Sequence, residues 1–74
     1  MANRDLDRAE IETLESLIDG ANLGAVLMAL SEICGEKAEH IRANWQDAAT
    51  ARVWDEACGV IGMASASVAH TLHV

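Results

Sequence analysis

The sequence predicts an all-α fold, a small antiparallel bundle of three helices completed by dimerisation. Three observations carry that prediction. The apolar half of the chain is Ala, Leu, Ile and Val with two Trp and no Phe, Tyr or Pro, an alphabet of helix formers. Apolar residues recur every three or four positions in three stretches, the spacing of one side of a helix. The stretches are joined by short segments rich in helix-stopping and helix-starting residues, and short connections make neighbouring helices antiparallel.

Each element follows in order. Asp5 or Asp7 caps a first helix over residues 6–19, in which Ile11, Leu14, Leu17 and Ile18 line one stripe. Gly20 stands where a left-handed C-cap residue belongs, and Asn22 is an N-cap for the next helix, so the intervening segment is a tight turn. The second helix covers residues 23–43. Its seam of Leu23, Val26, Leu27, Leu30, Ile33, Cys34, Lys37, Ala38, Ile41 and Trp45 keeps step across Gly35, which favours one continuous helix over two, and its Leu and Ile residues are one candidate face for pairing with a second copy. A helix-interior Gly costs about 1 kcal/mol against Ala, so close packing or a bend is expected at Gly35. Asn44 to Asp47 breaks the pattern, and Asp47 caps a third helix over residues 48–69 through Trp54, Ala57, Cys58, Ile61, Ala64 and Val68. Gly59, Gly62, Ala66 and Ala69 leave this helix a face almost without side chains, where another backbone can approach within the bundle or across a dimer axis.

A chain of 74 residues forms one domain with a core of marginal size, which a second copy would complete. Cys34 and Cys58 lie in apolar runs and read as small buried hydrophobes in a reducing cytosol. No secretory leader is recognisable, so the expected location is cytoplasmic. Residues 57–74 carry no Asp, Glu, Lys or Arg, yet Gly59, Gly62, Ser65, Ser67, His70 and His73 make them too polar to span a bilayer.

Chemistry has little to work with. His70 and His73 stand three apart and would supply half a zinc site, but no second pair lies at ligand spacing, so no metal and no cofactor are expected. His40 follows Glu36 and Glu39 and reads as a surface residue among carboxylates. There is no nucleophile elbow and no glycine-rich phosphate loop. The chain is expected not to be an enzyme.

Charge is more informative, with twelve acids against five bases and a net charge of −7. Glu12, Glu15 and Asp19 form one column at helical spacing, and Glu32, Glu36 and Glu39 form another. Like charges one turn apart repel by a few tenths of a kcal/mol per pair. Solubility alone accounts for such a cost; an acidic face meeting a basic protein surface is the sharper account. Carboxylates about 5–6 Å apart along a helix approximate a run of phosphates. Direct nucleic-acid binding is not expected, because Arg4, Arg8, Lys37, Arg42 and Arg52 are scattered among acids. Trp45 and Trp54 read first as core anchors at the turn between the second and third helices. Alternatively Trp45 and Arg42 form an exposed interface anchor, a role these residue types often fill, together with Gly59, Gly62 and Ala66 on the third helix.

The run Leu30-Ser-Glu-Ile-Cys-Gly-Glu-Lys-Ala-Glu-His-Ile-Arg-Ala-Asn-Trp-Gln-Asp47, preceded by Leu17-Ile-Asp19, resembles a set of small uncharacterised bacterial and phage proteins over about a third of the chain. In size, charge and helical content the chain is also similar to the anti-CRISPR inhibitors of phages, in type and not by motif. That similarity implies a small protein that binds a surveillance complex. The expected function is therefore a non-enzymatic protein-binding module whose acidic surface engages a basic surface. The alternative is a small accessory or regulatory subunit of a bacterial enzyme, with an apolar contact surface.

Overall fold

The computed structural model describes residues 4–71 and is all-α: α1 (Arg8–Gly20), α2 (Leu23–Asn44) and α3 (Ala48–Thr71). Of the two aspartates that could cap α1, Asp7 does so. Its carboxylate accepts from the Glu10 N–H at 2.8 Å, while the Asp7 N–H donates to the Glu10 carboxylate at 3.0 Å, a reciprocal capping box. Arg4 closes over the same carboxylate with bonds of 2.7 and 2.8 Å. This Arg4 pairing, with the Asp7 N–H behind it, lowers the Glu10 carboxyl from 4.5 to about 2.

The sign of the resulting pH dependence follows from linkage. The unfolded chain binds a proton on Glu10 where the folded helix refuses it, so the stabilisation is complete above 4.5 and fades as pH falls towards about 2. Glu10→Gln is expected to flatten the acid loss of α1 helicity across that window, as read by circular dichroism. An identical titration in the variant would show that the capping box contributes nothing to α1.

The turn after α1 departs from expectation. Gly20 is not left-handed: it closes α1, and Ala21 is the cap, at φ −113° and ψ −94°, with its N–H donating to the Leu17 carbonyl. A single residue between Gly20 and the extended Asn22 suffices to reverse the chain, so no left-handed residue is needed. Asn22 then caps α2, its side chain accepting from the Ala25 N–H at 2.7 Å. The left-handed residue is Gln46, at φ 51°, in the turn between α2 and α3. After it Asp47 caps α3, taking the Thr50 N–H at 3.1 Å and the Thr50 hydroxyl at 2.7 Å.

α2 runs unbroken through Gly35 and pairs with α3 in an antiparallel hairpin. Ser65 near the end of α3 meets Gly24 at the start of α2, Ser31 meets Cys58, and Arg42 meets Asp55. The seam is made of small residues. Ser31, Cys34, Ala38, Ala51 and Ser65 are the buried residues of the pair, and Ala38 and Ala51 are 0% exposed. A Cβ placed on Gly35 would sit 3.5 Å from the Cys58 sulfur, and one on Gly62 would sit 3.4 Å from the Ser31 hydroxyl. At Gly35 that is ordinary van der Waals contact, so neither a bend nor the packing there requires a glycine. Two hydroxyls tie the seam at its closest points: Ser31 Oγ donates to the Cys58 carbonyl at 2.9 Å and Ser65 Oγ to the Gly24 carbonyl at 2.8 Å. Each such bond contributes about 1 kcal/mol net.

The first helix does not complete a bundle. The chain direction turns by 118° between α1 and α2. α1 packs on α2 but not on α3, and none of its residues is buried. Its apolar stripe is left half-covered at Leu14 and Ile18 and exposed at Ile11 and Leu17. The described residues thus form a two-helix hairpin with an outlying helix, in place of the closed three-helix arrangement the periodicity suggests.

Candidate interaction surfaces

A helical step of about 100° per residue divides the hairpin into two sides. Glu32, Glu36 and Glu39 from α2 and Asp55 from α3 border a shallow groove floored by Gly35. All four acids are exposed. Arg42 crosses this side, pairing with Glu39 at 2.9 Å and with Asp55. Both pairs are solvent-exposed and so contribute little to stability, but they neutralise part of the second acidic column. Glu12, Glu15 and Asp19 are exposed along α1, on a helix of different direction.

The opposite side of the hairpin is apolar. Val26, Leu30, Ile33 and Ile41 from α2 lie beside Trp54, Ile61 and Val68 from α3, with Val53 and Val60 at the flank. Ile33 is 46% exposed, Val53 63% and Val60 67%. At the closed end of the hairpin this side deepens into an open groove of about 620 Å³ between Ile33, Ile41, Trp45 and Trp54, with Glu36, His40 and Asp47 at its rim. Lys37 lies on the same side with its ammonium 5.6 Å from the centre of the Trp54 ring, a cation–π distance.

Several candidate residues fall elsewhere than the core. Trp45 is 72% exposed, because it caps α2 beyond the last seam contact, so the core-anchor reading fails for it; Trp54 is half-buried. Gly59, Gly62 and Ala66 have different surroundings. Gly62 packs against Ser31 inside the hairpin, whereas Gly59 has open space where a side chain would be and Ala66 is exposed. The periodicity placed Leu30 and Ile33 in one seam with Cys34 and Ala38, and could not separate the flank from the residues that meet α3. The signal available was the width of the stripe, which exceeds what one partner helix can cover.

Other chemistry is sparse among the described residues. No three His, Cys, Asp or Glu side chains are grouped so that they could hold a metal ion. His70 is exposed on α3, and His73 lies outside the described residues. Both cysteines are free; the Cys58 sulfur lies 3.4 Å from the Ser31 hydroxyl. No single described helix is long and apolar enough to cross a membrane. Comparison with protein families, curated proteins and solved structures finds no match to this chain.

Proposed function

We propose that the chain is a non-enzymatic protein-binding module of the cytoplasm that works as a homodimer and presents acidic helix sides to a basic protein surface. Its most concrete form is an inhibitor of the phage anti-CRISPR type, which occupies a groove built for nucleic acid. The observation that supports the reading is the segregation of the hairpin. Most exposed acids gather on one side and most of the exposed apolar residues on the other, so pairing through the apolar side leaves Glu32 in solvent, with Glu39 and Asp55 exposed in their pairs with Arg42. A net charge of −7 steers such an encounter and disfavours direct nucleic-acid binding.

The triple substitution Glu32→Gln, Glu36→Gln, Glu39→Gln tests it against the basic partner recovered on the immobilised wild type. Affinity at low salt is expected to fall by an order of magnitude or more, with a flatter dependence on salt. Equal affinity and equal salt slope in the variant would sink the reading. The exposure of Ile33 and Val60 favours one rival, an accessory subunit of an enzyme complex that binds through the apolar side. It predicts an affinity that salt does not change.

A further inference from the structure

We infer that the apolar side of the α2–α3 hairpin is covered by the same side of a second copy, giving a two-layer, four-helix assembly with the acidic sides outermost. The inference rests on the homodimer in the proposed function and specifies its interface. The described chain is a single layer. Its Cα extents are 43 × 29 × 15 Å and its radius of gyration is 14.2 Å, against about 11 Å for a compact chain of this length. A core needs two packed layers, and this chain supplies one.

The exposed area says the same. The chain exposes 5899 Å², whereas a compact monomer of 7.9 kDa exposes about 4,400 Å². The excess, about 1,500 Å², is shared between the hairpin and α1, which buries no residue, and about half of it matches the about 800 Å² per partner that a stable interface buries. It is enough for a dimer.

Length selects the occupant. The apolar side runs from Val26 to Ile41 on α2 and from Trp54 to Val68 on α3, about 20 Å along each helix at 1.5 Å per residue. The stripe of α1 from Ile11 to Ile18 is about 10 Å long, so α1 folding back at Ala21 would cover half of it at most. A second hairpin matches the full length, and a two-fold axis makes the surface self-complementary. Charge disfavours anionic lipid and nucleic acid as occupants. At −7 the chain is repelled by anionic lipid and nucleic acid, while Glu32, Glu39 and Asp55 project from the far side and only Glu36 and Asp47 stand at the rim of the apolar groove, beside Lys37. Lys37 is held over the Trp54 ring, which screens the cation on this side.

Sedimentation equilibrium of the untagged full chain at micromolar concentration is expected to give twice 7.9 kDa at low and high salt alike. Ile33→Glu on the apolar side is expected to halve that mass. Met63→Glu, at a still more exposed apolar residue of the acidic side, is expected to leave it unchanged. Should Ile33→Glu not fold, a photo-crosslinker at position 53 of an otherwise unchanged chain decides the matter: it is expected to join two copies, and one at position 63 is not. A monomeric wild type, a folded and dimeric Ile33→Glu, or crosslinks from 63 and none from 53 would each overturn the inference. A wild-type dimer whose Glu32, Glu36 and Glu39 triple variant binds the partner with unchanged affinity and salt slope would mean that only the acidic reading fails. Loss of the dimer with intact acid-dependent binding would mean that only the interface is wrong.

Discussion

Enlarging the seam alanines is expected to open the hairpin. Ala38 and Ala51 are 0% exposed and sit where two backbones come close enough for serine hydroxyls to bond carbonyls of the opposite helix at 2.8 and 2.9 Å. Leucine at either position has no gap to fill, and small-to-large changes in a packed interior cost about 1–3 kcal/mol. Here the helices must also separate, which stretches the Ser31 and Ser65 bonds, each contributing about 1 kcal/mol. A chain of this length has about 4–11 kcal/mol of stability in total. Ala38→Leu and Ala51→Leu are therefore expected to remove a third of it or more, read as a large drop in the urea or thermal midpoint by circular dichroism. Ala43→Leu, on the exposed surface of α2, is the control and is expected to leave the midpoint nearly unchanged. An unchanged midpoint in the seam variants would mean that the helices stand further apart than described.

What the sequence disclosed and what it hid divide along physical lines. Capping is local chemistry, so Asp7, Asn22 and Asp47 could be read from side-chain type alone, and helical period located the three helices and both acidic columns. Left-handed backbone was misplaced. Glycine at position 20 advertises a freedom the chain does not use there, and Gln46 adopts the left-handed conformation with nothing in its side chain to announce it. The period could also not rank residues within a stripe. Leu30, Ile33, Cys34 and Ala38 all recur at helical spacing, but the closest approach of two helices admits only the smallest, so Ser31 and Ala38 face α3 while Leu30 and Ile33 are displaced to the flank. Long-range placement was beyond it too. That Asp55 joins Glu32, Glu36 and Glu39 around one groove depends on the register of the hairpin, which the Gly24–Ser65 and Ser31–Cys58 contacts set.

Gly59→Ala is expected to stabilise the protein, while Gly62→Ala, three residues on, gains much less. Both glycines are interior to α3, where Ala is favoured over Gly by about 1 kcal/mol because it loses less backbone entropy on folding. At Gly59 nothing lies within 4 Å of the added Cβ, so the whole gain is realised, and for a domain of this size it corresponds to a rise of about 4–8 °C in the melting midpoint. At Gly62 the added Cβ meets the Ser31 hydroxyl at 3.4 Å. That hydroxyl cannot give way freely, because it is bonded to the Cys58 carbonyl. Crowding then offsets the entropic gain. The sign at Gly59 also separates two ways of pairing copies of the chain. If the second copy seats on the apolar side of Ile33 and Ile61, Gly59 stays in solvent on the acidic side and the substitution stabilises the dimer by the full amount. If the second copy instead approaches through Gly59, Gly62 and Ala66, the new methyl strikes its backbone, and both the melting midpoint and the dimer mass must fall.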